Sequence, residues 1–580
     1  MARPTLVFDG NCGFCRMWVD FWRSLTGDEV DYQASEGLQA VEYVGPEGQF
    51  IGAEAVFQLL GRVPGYEWML RVYNIVPGCA PIAEFVYRLI AAHRNAAWHI
   101  TRALWGDRVE RPSYIFASSF FARALAFVYM IAFASFGMQA RGLIGSNGIL
   151  PIGTFLRFAE TQLGTAAFWR VPTILWWARS DFAVLSIAWG GVALASIAIL
   201  ARAHSVWRKL IFAILFVYYL SIVSAGQVFM SYQWDLLLLE AGFLAIFLRP
   251  SLPRTWLFQW LVFRLMFESG VVKLLSNDPT WRNLTALSVH YETQPLPTVL
   301  AWYAMRLPLW FQKASTASVF VVEVALPFLI FGPGRLKRVA ALGTIGLQVL
   351  IFLTGNYTFF NVLAIALCAF LFDDAWWRRW FRIPEGAQAS GNRFVSAALM
   401  LFVMTVSCTQ LGSLFSRVPV ELNAIVDRQS PFGLVNGYGL FASMTTIRPE
   451  IQLEGSQDGE HWQPYVFRYK PGPLDRAPGW VAPFQPRVDW QMWFAALGSY
   501  RENPWFVQFM LQLLQGSKPV LALLDRDPFG GVAPKQVRAV VYEYHFTNFE
   551  ERTKTGNWWK REYKGLYFPP VSLKPQGEKE

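Results

Sequence analysis

Residues 181–201 read DFAVLSIAWGGVALASIAILA, with one charge, at the first position. A helix of about 20 such residues is what crosses the ~30 Å hydrocarbon core of a bilayer. Eight more apolar runs accompany it, at 115–137, 210–226, 234–248, 257–275, 315–331, 338–354, 359–372 and 394–412. Together they predict a polytopic α-helical membrane bundle of about nine spans over residues 111–412. The composition agrees. Of 580 residues, 54 % are hydrophobic and 16 % charged, and mean hydropathy is +0.28. A soluble chain carries about 25 % charge. So apolar and aromatic a chain is not disordered, and it has too little charge to cover a wholly soluble surface.

The net charge of +10 would suggest nucleic acid in a soluble protein. Here Lys and Arg sit in short loops between apolar runs, as membrane orientation requires, so no nucleic-acid partner is expected. The opening MARPTLVFDGNCGFC has neither the apolar core nor the small-residue cleavage site of a secretory signal, which places the N-terminus in the cytoplasm. The loops on that side are then basic: Arg202, Arg208 and Lys209; Arg249 and Arg254; Arg335, Lys337 and Arg338; Arg378, Arg379 and Arg382. The opposite loops 227–233 and 355–358 hold no Lys or Arg. Loops 138–180 and 276–314 carry some Arg and do not discriminate. An odd number of spans puts the C-terminal segment outside the cytoplasm.

Residues 1–110 are too charged and mixed to span. Thr5–Phe8 is strand-like, Asp9-Gly10-Asn11 is a turn, and helices are expected over Cys12–Leu25, Ala53–Leu60 and Ile82–Ala92. Residues 413–580 turn soluble again. Ile451–Leu453, Tyr465–Tyr469 and Val537–Phe546 read as strands, separated by turn signals such as Ser456-Gln457-Asp458-Gly459, with one helix at Trp505–Leu514. A mostly β, sandwich-like domain is predicted, ending in a frayed tail, Lys574–Glu580.

Five cysteines are present: Cys12, Cys15, Cys79, Cys368 and Cys408. Cys12-Gly13-Phe14-Cys15 follows a strand and opens a helix. Free N–H groups and the helix dipole at that place favour the Cys12 thiolate, the form that attacks a disulfide. Two intervening residues put Cys15 within reach to resolve the mixed disulfide. Two other readings stay open: half of a zinc site completed by Cys79 with His93 or His99, and a pair of small core residues.

The run Asp9-Gly10-Asn11-Cys12-Gly13-Phe14-Cys15 resembles the DCC family of thiol-disulfide oxidoreductase-like proteins, whose Asp-x-x-Cys-x-x-Cys pattern is matched by Asp9, Cys12 and Cys15. The resemblance covers about residues 3–100. It implies a thioredoxin-like α/β fold, catalytic roles for Cys12, Cys15 and Asp9, and a thiol redox partner. Pro64 and Pro77 are the candidates for a cis-proline.

Ionisable residues inside spans are costly and face a bundle interior or a cavity. Asp235, Glu240, Arg264, Glu268, Lys273 and Glu323 lie in or near the apolar runs. Arg264 and Glu268, four residues apart, can pair on one helix. Either these residues pack the bundle or they line a polar cavity. The outer tract around Trp281, His290, Tyr291 and Gln294, rich in aromatic and polar residues and fixed by two prolines, reads as a binding surface. No HExxH, P-loop, GxSxG or metal-spacing cluster occurs, so no metal or cofactor is expected.

Further stretches carry a second resemblance: GLIGSNGILP (142–151), YQWDLLLLEAGFLAIFLRP (232–250), FESGVVKLLSNDPTWRNLTALSVHYETQPLPT (267–298), GNYTFFN (355–361), SPFGLVNGYGLFASMT (430–445), IQLEGSQDGEHW (451–462) and PRVDWQMWFAAL (486–497). They are similar to the lipase maturation factor family over about residues 115–570. The resemblance implies a membrane-bound factor that assists folding of exported proteins, lipases among them, through outer loops and a C-terminal domain. The membrane would be that of the endoplasmic reticulum in an animal, or the inner membrane in a bacterium, where fusion to a DCC domain fits best. Two alternatives remain: a thiol-disulfide oxidoreductase passing electrons at the membrane, and a transporter.

Overall fold

A computed structural model of the chain describes residues 3–107, 109, 111–201, 206–383 and 392–573. The tail Lys574–Glu580 and Arg202 of the first basic loop lie outside them. Two compact units form. One comprises Met1–Ser113 with Phe331–Val339 and Asp373–Arg379; the other holds Tyr114–Ile330, Ala340–Phe372 and Trp380–Glu580.

In the first unit, strand β1 (Thr5–Asp9) leads into helix α1 (Gly13–Thr26) and returns as β2 (Asp31–Ser35), parallel to β1. Then β3 (Glu42–Gly45) pairs antiparallel with β1, and β4 (Gly48–Ile51) with β3, giving the order β2-β1-β3-β4. The alternating residues of β1 explain its place: Leu6 and Phe8 join Val19, Val30, Val41, Tyr43, Ala55 and Leu59 in one core. Helices α2 (Ala53–Gly61), α3 (Glu67–Ile75), α4 (Cys79–Ala92) and α5 (Arg94–Trp105) complete the domain. The peptide bonds before Pro64 and Pro77 are trans; among the described residues Ala482–Pro483 alone is cis.

Among the described residues, six helices are long and apolar enough to cross a membrane: Ile115–Gly137, Asp181–Leu200, Val206–Ala225, Leu309–Phe331, Gly334–Thr354 and Arg393–Ser413. They coincide with six of the nine expected runs. The other three differ in kind. Gln233–Ile246 has 14 residues, about 21 Å of helix, and Phe360–Leu367 continues only through a single 3₁₀ turn, Cys368–Leu371. Leu252–Leu275 is long enough at 24 residues but contains Arg254, Arg264, Glu268 and Lys273. In Gln233–Ile246 the run Leu237–Gly242 is buried without interruption. That helix is walled in by protein rather than lipid, so length and hydropathy judge it poorly. The pair α3–α4 is apolar as well, with a 109° bend at the break between the two helices.

The C-terminal region departs from a sandwich. It has one four-stranded antiparallel sheet, ordered Trp559–Ser572, Gln536–Phe546, Pro449–Ser456 and Gln463–Pro464, and a two-stranded ribbon, Val466–Phe467 with Leu524–Arg526. Helices cover it in place of a second sheet. Pro504–Leu514 packs Phe506 on Tyr567 and Phe568, with ring centroids 5.0 and 6.0 Å apart. Arg487–Ala496, expected as part of a β domain, is a helix with both polar and apolar faces buried.

Candidate functional site

The CxxC pair sits where the sequence put it. Cys12 is the N-cap of α1, and its Sγ accepts the Cys15 N–H at 3.3 Å. Burial pushes the Cys15 thiol up to about 12, and the hydrogen bond and charge of Cys12 push the same way. The two sulfurs are thus unequal: Cys12 opens the helix, and Cys15 stays protonated behind it. The Trp98 indole lies against Gly13, where an added Cβ would come within 3.2 Å of Nε1. Asp9 accepts the Asn11 N–H at 3.0 Å and pairs with Arg94 at 3.0 Å; Arg94 also donates to the Leu38 carbonyl. Asp9 therefore fixes the turn and clamps α5 to the loop before β3. Sequence reading missed Arg94. Cys15, Asp9 and Arg94 border a small cavity with Phe14, Trp18 and Tyr87. Among the described residues no group of three or more His, Cys, Asp or Glu side chains could hold a metal ion.

The polar residues in and near the apolar runs come together in three groups, the first two closed by segments far away in sequence. Asp235 forms a two-pronged ion pair with Arg487, both contacts 3.0 Å, with both side chains wholly buried. Tyr219 donates to the same carboxylate at 2.5 Å, and Arg487 also donates to the Phe229 carbonyl at 2.6 Å.

The second group is Glu240, Arg264 and Glu268. Arg264 pairs with Glu240 of the neighbouring helix, not with Glu268 as its spacing suggested. The reason is the loop 434–441. Its Tyr438 N–H donates to Glu268 at 2.7 Å, its Tyr438 hydroxyl and Asn436 N–H donate to Glu240 at 2.8 Å, and its Asn436 carbonyl accepts from Arg264 at 2.8 Å.

In the third group Lys273 pairs with Glu323 at 2.8 Å, with Nζ 5.4 Å from the Trp281 ring centroid. Glu323 lies in a single π-helical turn, Val321–Ala325; such a turn re-aims one side chain within a helix.

Of the four residues expected on an outer binding surface, Trp281 and Gln294 are turned inward, and His290 and Tyr291 are half-buried. Trp281 is buried and donates to the Phe441 carbonyl at 3.0 Å. Gln294 is buried, donates to the Thr354 carbonyl at 2.9 Å and accepts from Tyr357 at 3.0 Å. His290 contacts the Tyr357 hydroxyl at 3.1 Å, and burial together with the Lys273 charge pushes it down to about 4. Tyr291 packs its ring beside that of its neighbour His290, with centroids 6.3 Å apart. Four bulky or polar residues near this region hold positive φ: Asn277, Leu284, Thr358 and Phe441. Such conformations cost about 1–3 kcal/mol each and persist only where surroundings over-determine them.

The C-terminal region supplies the rest of the closure. Arg448 pairs with Glu450 at 2.8 Å and donates to the carbonyls of Glu292 and Pro295 at 2.6 and 2.8 Å; Lys470 also pairs with Glu450 at 2.8 Å. Asn356 accepts the Val481 and Ala482 N–H groups at 2.7 and 2.9 Å. Arg448, Glu450, Lys470 and Arg487 escaped sequence reading. Their signal was a charge set among apolar neighbours, as in PRVDW and IRPEIQ, inside a segment that otherwise reads as soluble.

Three family models match. Residues 116–379 fit the lipase maturation factor transmembrane domain, 434–569 the lipase maturation factor C-terminal domain, and 6–99 the DCC1-like thiol-disulfide oxidoreductase. Lipase maturation factor 2 of Gallus gallus is 35 % identical over 603 residues, covering 81 % of this chain and 82 % of that protein. The Homo sapiens protein of the same name is 35 % identical over 589 residues, covering 78 % and 82 %. Lipase maturation factor 1 of Bos taurus is 34 % identical over 528 residues, covering 80 % and 92 %.

The chain belongs to the lipase maturation factor family.

No solved structure matches it. The matched ranges enclose both members of each buried ion pair described above. The lipase maturation factor transmembrane match contains Asp235, Glu240, Arg264, Glu268, Lys273 and Glu323, and the C-terminal match contains Tyr438, Arg448, Glu450, Lys470 and Arg487. The third match contains Asp9, Cys12, Cys15 and Arg94. This lipase maturation factor family member is therefore a multi-pass membrane protein joined to a DCC1-like domain.

Proposed function

We propose that this protein is a membrane-bound maturation factor for exported proteins, lipases among them, with a dithiol domain on the opposite side of the membrane. Its parts are a thioredoxin-like domain at 1–110 in the cytoplasm, a bundle of nine spans at 111–412, and an extracytoplasmic domain at 413–580. The three central helices, shorter or more charged than the other six, complete the nine. The basic loops between spans support this orientation. In a bacterium the membrane is the inner one; in an animal cell it is that of the endoplasmic reticulum.

The observation that carries the reading is the closure of the bundle by the C-terminal region through Asp235–Arg487 and the loop 434–441. Buried pairs of this kind are weak stabilisers but strong specifiers of one arrangement. They make the outer side a rigid platform on which a folding client can rest. The intramembrane charges serve that packing rather than transport.

In the dithiol domain, the Cys12 thiolate attacks a substrate disulfide and forms a mixed disulfide, releasing one substrate thiolate. Cys15 then loses its proton and attacks the Cys12 sulfur, releasing the second thiolate. The substrate gains two electrons, and Cys12–Cys15 becomes the disulfide, which a thiol redox partner must reduce again. Asp9 holds the turn through Asn11 and Arg94.

The test is client capture and secretion. A secreted lipase co-expressed with the intact chain is expected to co-purify with it and to gain activity. Arg487→Leu is expected to lose both, while Cys12→Ser retains capture. Capture unaffected by Arg487→Leu, or substrate flux through reconstituted vesicles, would refute the proposal.

A further inference from the structure

Helix α4 is odd for a domain of this size. Not one of its 14 residues is fully buried, although its sequence, CAPIAEFVYRLIAA, is strongly apolar. Ile82, Phe85 and Leu89 are 65 %, 64 % and 53 % exposed. Their spacing, i, i+3 and i+7, puts them on one face. Helix α3 repeats the pattern with Trp68, Val72 and Ile75, of which Ile75 is 74 % exposed. Large apolar faces in water mark a site for another surface.

The occupant follows from where the chain goes next. The residue after α5, Gly106, is nine positions before the spanning helix that starts at Ile115. In the same compact unit, Arg335, in the first turn of the spanning helix Gly334–Thr354, donates to the Ala103 carbonyl of α5 at 3.3 Å. The domain is thus tied to the end of a helix long and apolar enough to cross a membrane. The exposed Arg71 and Arg88 accompany the two apolar faces, as suits anionic headgroups. Neither helix can cross alone: 9 and 14 residues give about 14 and 21 Å against ~30 Å of hydrocarbon. The 109° bend prevents their joining into one straight span.

We propose that α3 and α4 lie flat in the headgroup region of the bilayer leaflet on the domain's own side, with Trp68, Ile75, Ile82, Phe85 and Leu89 in the acyl chains. The inner side of α4 carries Tyr87, Ile90 and Ala91, which wall the cavity beside Cys15. The dithiol therefore meets its redox partner at the membrane surface and not in free solution.

The experiment uses the full chain in nanodiscs of phosphatidylcholine and phosphatidylglycerol. A diazirine lipid carries its label either near the glycerol or at the acyl terminus, and labelled peptides are read by mass spectrometry. The shallow probe is expected to label residues 67–92, while the terminal probe labels spans such as Gly334–Thr354 and leaves 67–92 at background. Ile82→Asp/Phe85→Asp/Leu89→Asp should lower shallow labelling about tenfold and leave the spans unchanged, because the replaced face touches no core. Should the triple variant lose wild-type Cys12 alkylation, Phe85→Asp alone is read, with a smaller fall in the same direction. Background labelling of 67–92 by both probes would overturn the proposal, as would terminal-probe labelling equal to the spans. Cross-linked dimers through α4, marking a second copy as the occupant, would overturn it too.

Discussion

Replacing Arg487 by Leu strips the charged partner from a carboxylate that has no exposure. Asp235 would keep only the Tyr219 hydroxyl. Removing one member of a buried pair costs about 3–5 kcal/mol, because the other remains charged and uncompensated. At 1.4 kcal/mol per factor of ten, opening between the C-terminal region and the helix Gln233–Ile246 should become about a hundredfold to a few thousandfold more frequent. Native-state proteolysis of the protein in nanodiscs measures this, with cleavage followed within residues 413–573. Wild type should be cut slowly and Arg487→Leu faster by two to three orders of magnitude. Asp235→Leu/Arg487→Leu should recover most of the loss, since an apolar replacement of the whole pair is often near neutral. A single variant within about threefold of wild type, or a double variant as labile as the single, would refute the reasoning.

Iodoacetamide at pH 8 should modify Cys12 and spare Cys15, whose thiol burial pushes up to about 12; equal modification of both would contradict the asymmetry. Cys15→Ser should accumulate mixed disulfides on non-reducing gels, and Cys12→Ser none. His290 should titrate only near pH 4, seen by NMR on a selectively labelled sample. Its folded pKa lies below the unfolded value of about 6.5, so the unfolded state takes up the proton first and stability falls as pH drops from about 6.5 toward 4; His290→Gln should flatten that part of the profile. An added Cβ at Gly242 would overlap the Tyr129 hydroxyl, so Gly242→Ala should cost about 1–3 kcal/mol in thermal unfolding, partly restored by Tyr129→Phe.

Much of this was legible in the sequence for reasons of local physics. A span such as Asp181–Leu200 declares itself because all its sides avoid water. The Cys12 cap declares itself because strand, turn and helix follow within ten residues. The central helices were harder: their charges are neutralised from other elements, 24 to 252 positions away, and periodicity carries no information about such partners. Arg264 illustrates this, since an i, i+4 carboxylate was available at Glu268 and the chain used Glu240 instead. The outer tract misled for a related reason. Aromatic and polar residues between prolines look like a free surface, yet Trp281 and Gln294 are inside because Phe441 and Tyr357 cover them. The C-terminal sheet was visible in its strands; its second layer was not, because the Arg487–Ala496 helix buries its polar side as well as its apolar side.

The distance between Asp235 and Arg487 also sets a clock. They are 252 positions apart in the chain, which a ribosome adding about 5–20 residues per second needs roughly 13–50 s to make. Glu240 and Arg264, only 24 apart, can meet almost at once. During synthesis the bundle must therefore wait with one carboxylate unmatched until residue 487 has been delivered. A chain stopped before that point would hold an incomplete bundle, open to quality control, and the helix that brings Arg487 certifies one made long before it.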